Sequence, residues 1–256
     1  MINSFKADLY RLKRSKGTYI CLGVIALLYA LTLGFKSSGG ISFGMMPDER
    51  LMSAQKLDIK QMMLNFNYYY YLIMPVFMII IPEFTEQAYK NTITSVSDKK
   101  NFYISKFILC EIVGLCTYVV TTFAFYFANK VVNGSKYTSS FDKFAPKVFI
   151  LVPVIMFIIA FFAFVAFLFR KASVFNSVTI VLPLVISLLV SLFAMNKTLE
   201  KTVMKLYNYE LGSMMYRLVA KVGGNVYFAR SMAICVIGTV LFFAFGLKLF
   251  NERELG

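Results

Sequence analysis

The chain has 256 residues, 59% of them hydrophobic, and a formal net charge of +14 from 27 Lys and Arg against 13 Asp and Glu. Soluble domains hold roughly 45–50% apolar residues, so this composition points to a membrane protein. There is no histidine, which removes histidine metal sites, Ser-His-Asp triads and histidine-dependent intramembrane proteases. No GxxxxGK[ST] loop occurs either, so the chain offers ATP no such cradle.

Residues 2–16 predict an amphipathic helix. Ile2, Phe5, Leu9 and Leu12 recur at helical spacing, and Lys6, Arg11, Lys13, Arg14 and Lys16 fill the remaining surface. A basic helix with a narrow apolar stripe lies in the membrane interface, which makes Phe5, Leu9, Arg11, Leu12 and Arg14 candidate interfacial residues. Six apolar runs follow, at 17–35, 68–84, 107–128, 148–169, 174–195 and 230–249. Each is long enough to cross a hydrocarbon core of about 30 Å. The first is long for a signal-peptide core, and Leu33-Gly34-Phe35 is a poor cleavage site. The second opens on Tyr68 to Tyr71 and contains Pro75 and Pro82, while Pro153 and Pro183 interrupt later runs. Tyrosine suits the headgroup level, and proline is tolerated where neighbouring helices pack. The expected fold is therefore an all-α integral membrane protein: a single bundle of six transmembrane helices with an N-terminal interfacial helix. Cys21, Cys110, Cys116 and Cys235 all fall within apolar runs and imply no disulfide framework.

Basic residues divide almost evenly between the two sides under either orientation. The five that precede the first span decide for cytoplasmic termini. Positive charge confined to short segments between apolar runs, with no basic stripe of interleaved aromatics, argues for the lipid bilayer and against nucleic acid as the partner. Two outer segments are expected to be amphipathic helices. Residues 48–66 carry Met52, Ile59, Met62, Met63 and Phe66, and residues 207–222 carry Leu211, Met214, Met215, Leu218, Val219 and Val222. They read either as lids sealing the bundle or as a methionine-rich surface for an amphipathic substrate. Gly223-Gly224 supplies a stop.

Glu111 is the one ionisable residue well inside a run. Intramembrane carboxylates are costly and mark functional sites by default. The alternative is a carboxyl facing the bundle or a cytoplasmic crevice and bonded to a neighbouring hydroxyl. Residues 83–106 form a polar connector far longer than two adjacent spans require. Phe84, Ala88, Tyr89 and Ile93 cluster on one side of a possible helix. That stripe fits either a partner's groove or the protein's own helices.

The N-terminal FKADLYRLKRSKGTYI and the connector starting at Glu83 resemble the membrane subunit of type-2 ABC transporters, in the bacitracin and lantibiotic immunity branch. In that family the connector runs from an acidic residue through a Gly-Thr-like turn to a Ser and basic cluster, then a Lys leading the next span. The matching positions are Glu83 or Glu86, Asn91-Thr92-Ile93, Ser97 with Lys99 and Lys100, and Lys106. Asn91 replaces the usual glycine, and both residues tolerate left-handed backbone.

The resemblance implies a bacterial plasma-membrane permease with no enzymatic activity or cofactor of its own. It would pair with a second permease subunit, identical or related, and with separate ABC ATPase subunits that bind ATP. ATPase coupling would pass through Glu83, Phe84, Glu86, Tyr89, Asn91, Thr92 and Ile93, and Glu83 and Glu86 would orient against basic residues of the ATPase or around Arg11 and Arg14. The cargo would be an antimicrobial peptide or another amphipathic or lipid-linked compound. The alternatives are a lipid, polysaccharide or ion exporter, and a non-transporting anchor or sensor for an ATPase.

Overall fold

The computed structural model describes residues 2–35, 59, 73–85, 98–194 and 199–252. Every regular element among them is a helix: α1 (Ile2–Arg14), α2 (Lys16–Phe35), α3 (Ile73–Ile79), α4 (Ile81–Thr85), α5 (Lys99–Asn133), α6 (Phe141–Ile150), α7 (Val152–Phe169), α8 (Ala172–Ala194), α9 (Glu200–Tyr207), α10 (Leu211–Ala220) and α11 (Gly224–Glu252). The predicted segment 48–66 lies outside the described residues except for Ile59, which is fully buried.

Where the sequence predicts six spans, three stretches of the described residues are long and apolar enough to cross a bilayer: Lys99–Asn133, Phe141–Phe169 and Gly224–Glu252. The expected run at 68–84 is described only from Ile73, and the helix there breaks at Ile80, just before Pro82. Proline lacks the amide that would continue the ladder. At 148–169 the break falls at Leu151, with Pro153 in the first turn of α7. The buried Tyr118 hydroxyl donates to the Val148 carbonyl at that break, 2.8 Å away. By contrast α8 is helical straight through Pro183.

Side-chain exposure fits a membrane. In the most apolar window of α11 only 17% of residues are buried inside the protein, and Val236, Ile237, Val240, Leu241 and Phe245 lie exposed along it. In water that surface would be an apolar patch well beyond what a soluble monomer tolerates; against acyl chains it has a partner. The chain is thus membrane-embedded.

The core centres on α7, where Ile155, Ile158, Ile159, Ala160, Ala163 and Ala166 are fully buried. It packs against α11 and α5. Without a hydrophobic driving force between helices in lipid, such contacts depend on close approach, which small residues permit. A Cβ at Gly114 would lie 2.3 Å from Ile159 Cδ1, and one at Gly238 would lie 2.1 Å from the Phe157 ring. Gly114→Leu is therefore expected to cost about 1–3 kcal/mol by overpacking, read as a lower thermal midpoint in detergent. An unchanged midpoint would show that α5 and α7 do not meet this closely.

The helix ends sort into two groups. At one end lie α1, the end of α4, the start of α5 and the end of α11, since Phe102 stacks on Phe250 at 5.9 Å and Phe84 meets both Phe250 and Phe167. Arg170, after α7, sits over the Phe250 ring at 5.0 Å. At the other end Asn133 Nδ2 donates to the Leu33 carbonyl at 3.2 Å, and the Tyr126 hydroxyl donates to the Ser139 carbonyl at 3.1 Å.

The predicted amphipathic segment 207–222 is α10. Glu210 caps it by accepting from the Ser213 amide at 2.8 Å. Burial pushes the Glu210 carboxyl above the usual carboxylate range, partly offset by the Gly212 and Ser213 amides. Met214, Met215, Leu218 and Val219 face the core and are 0–3% exposed. The methionines thus seal the bundle and leave no methionine-rich surface there. The helix ends on Lys221 in the left-handed region, ahead of the glycines expected to stop it.

Candidate functional site

The amphipathic period of α1 places one face against the bundle. That face runs Phe5, Asp8, Leu12: Asp8 and Leu12 are buried and Phe5 packs on the core, while Leu9, expected on the stripe, is 41% exposed. Asp8 is an acid carried inward by a basic helix, and it meets the base that accommodates it. Lys106, about two turns into α5 and 2% exposed, donates to Asp8 Oδ1 and Oδ2 at 2.7 and 2.8 Å and to Glu83 Oε1 at 2.8 Å. Glu83, on α4 and 3% exposed, also accepts from Arg11 Nη2 at 2.5 Å. Arg11 lies 3.5 Å from Asp8 as well.

Two acids and two bases make the cluster neutral. Lys106 spends its three protons on three carboxylate oxygens, and the Phe102 ring lies 5.5 Å from its ammonium. Charge-assisted bonds of this kind are short and strong, and a buried network is stable only when its members are satisfied. The cluster ties three segments distant in sequence: α1, the residue that opens the polar connector, and the start of the long helix that follows it.

Of the residues expected to act at the connector, Glu83 and Phe84 are described and both are buried. Phe84 lies edge-on to Phe167 at 5.8 Å, and Arg170 sits over its ring at 5.9 Å. Phe84 thus faces the protein's own core. Glu86, Ala88, Tyr89, Asn91, Thr92 and Ile93 lie outside the described residues. The pairing of Glu83 with Arg11 is one of the two orientations expected for that glutamate. Asp8 is the member the sequence reading missed. The signal available was an acid at the position between Phe5 and Leu12 on the inward face of an otherwise basic helix.

Arg11 also lines a cavity of about 560 Å³ between α1 and the α3–α4 break, with Tyr10, Arg14, Met78 and Pro82. Arg14 is stacked over Tyr10 at 4.8 Å. Glu111 is 7% exposed, so it faces protein. Neither carboxyl oxygen has a hydrogen-bond partner among the described residues, and no neighbouring hydroxyl takes it up. All four cysteines are free. Among the described residues no group of three or more Cys, Asp or Glu gathers as metal ligands would.

Neither a scan against protein-family models nor a search of curated proteins returned a match to this chain.

Proposed function

We propose that the chain is the permease subunit of an ATP-driven exporter of the type-2 ABC kind, in the bacterial plasma membrane. It crosses the membrane six times with both termini cytoplasmic, pairs with a second permease subunit, and moves an antimicrobial peptide or another amphipathic or lipid-linked compound. The observation that carries this reading is the buried ion cluster. An ATPase acting at a membrane surface needs a mechanical link into the spans. The polar connector is pinned at both ends, because Glu83 and Lys106 are bonded to each other and both are bonded to α1. A push on the connector therefore reaches α1, α4 and α5 together, which suits a rocking or hinge transition. α1 and the end of α11 lie at the same end of the bundle, as an even number of passes requires.

Substrate-stimulated ATP hydrolysis in proteoliposomes with the cognate ATPase tests the reading. Hydrolysis should rise with at least one amphipathic antimicrobial compound, and co-expression should raise that compound's inhibitory concentration. ATPase recruitment with no stimulation across a broad panel would make the chain an anchor or sensor.

Two further outcomes are expected. In a cysteine-free background, a single cysteine at position 140 should label from outside the cell, and cysteines at 95 and 254 only after permeabilisation. Outside labelling at 95 would reverse the orientation. Tyr89→Ala should leave the protein inserted but weaken its co-purification with the ATPase by about 2 kcal/mol, as loss of an aromatic anchor does. Full co-purification would move the docking element to the exposed face of α1.

A further inference from the structure

At the end of the bundle opposite the ion cluster, a cavity of about 310 Å³ opens between the end of α10 and the start of α11. Its lining is of two kinds. Arg217, Lys221, Asn225 and the backbone at Gly224 supply donors, while Ile150, Leu218, Val222 and Phe228 supply an apolar wall. Among the described residues no carboxylate lines it. Among the described residues neither Arg217 nor Lys221 is ion-paired, and Arg217 Nε is buried with no acceptor.

The surrounding structure holds these groups in place. Arg217 stacks over the Tyr227 ring at 5.4 Å, and the Tyr227 hydroxyl is fixed by donating to the Asn208 carbonyl. Lys221 takes the left-handed cap position of α10, where its amide and that of Val222 close the turn onto Arg217 and Leu218 carbonyls. The α11 N-terminus then begins at Gly224, adding free amides and the positive end of a 29-residue helix. A desolvated guanidinium nitrogen without an acceptor is costly, and a stacked guanidinium beside an ammonium is suited to an oxyanion.

We infer that this cavity binds the anionic phosphate headgroup of a membrane amphiphile, with Arg217 and Lys221 holding the phosphate oxygens and the tail passing along Phe228 and the exposed Val226. The cations and helix N-terminus match a phosphate. The apolar wall, and the exposed apolar side chains below it, match a chain-bearing ligand and have no use for a free ion. The inference goes beyond the transport reading, since binding requires no ATPase.

The test is calorimetric titration of the full chain in neutral detergent with dioctanoyl phosphatidylglycerol, dioctanoyl phosphatidylcholine and inorganic phosphate. Phosphatidylglycerol should bind at least tenfold more tightly than either of the others. Arg217→Gln with Lys221→Gln should abolish that preference, and Lys221→Gln alone, at an exposed turn position, should weaken it several-fold without loss of fold. Arg230→Gln, an exposed charge nearby but outside the cavity, should leave it within twofold. Equal binding of the two lipids, a preference that survives the double substitution, or an equal loss with Arg230→Gln would overturn the site. Inorganic phosphate binding as tightly as phosphatidylglycerol would overturn the amphiphile as its ligand.

Discussion

Lys106→Met is expected to destabilise the protein by about 3–5 kcal/mol, because removing one partner of a buried ion network leaves the others charged and unpaired. Lys106 carries three of the bonds that hold Asp8 and Glu83, and all three residues are at most 8% exposed. Arg11 cannot substitute for it: Arg11 already bonds Glu83, and its own side chain is 42% exposed. Against a typical total stability of roughly 5–15 kcal/mol, the loss is large. The measurement is the thermal midpoint in detergent, with a fall of roughly 10 °C for a chain of this size. Asp8→Asn, Glu83→Gln and Lys106→Met together should restore most of the lost stability, since neutral groups replace the stranded charges and Arg11 can turn to solvent. The same triple variant should lose coupled hydrolysis, because α1, the connector and α5 are no longer bonded to one another. A triple variant that is stable and fully coupled would reduce the cluster to a packing device. A single Lys106→Met variant as stable as the wild type would show that the carboxylates find other partners.

The helices were largely legible in the sequence, because long runs without charge have few other readings. α2, α5, α8 and α11 fall where the apolar runs predict them, and proline explains the breaks near Ile80 and at Leu151. What was not legible is which polar residues go inside. Hydrophobic periodicity puts Phe5, Leu9 and Leu12 on one stripe and does not include Asp8. The structure buries Leu12 and Asp8 and leaves Leu9 exposed, and Lys106, on a helix nearly a hundred residues away, offers Asp8 two short bonds. Pairing of this sort is invisible to local pattern. Phe84 is a similar case: the stripe on the polar connector fits either a partner's groove or the protein's own helices, and only the rings of Phe167 and Phe250 show that Phe84 packs inward. Nothing in the sequence pattern singles out Arg217 and Lys221, and the turn between α10 and α11 brings both to one cavity.

Glu111 is expected to show the opposite stability response from Lys106. Its two carboxyl oxygens are buried and have no hydrogen-bond partner among the described residues, and a buried polar group left unsatisfied costs about 1–3 kcal/mol. Removing the carboxyl should therefore raise stability: Glu111→Leu by about that amount, with Glu111→Gln between it and the wild type, since an amide still has donors and acceptors to satisfy. Under the transport reading, a functional use would be the reason to keep a group that costs stability. Under the transport reading both variants should insert and fold, while substrate-stimulated hydrolysis falls at least tenfold in Glu111→Leu and less in Glu111→Gln. The two measurements separate the possibilities. A Glu111→Leu protein that is less stable than the wild type would mean the carboxyl does have a partner that stabilises it. A Glu111→Leu protein that is more stable and fully active would mean that nothing in the transport cycle uses this carboxyl, and that the second permease subunit or the substrate does not pair with it.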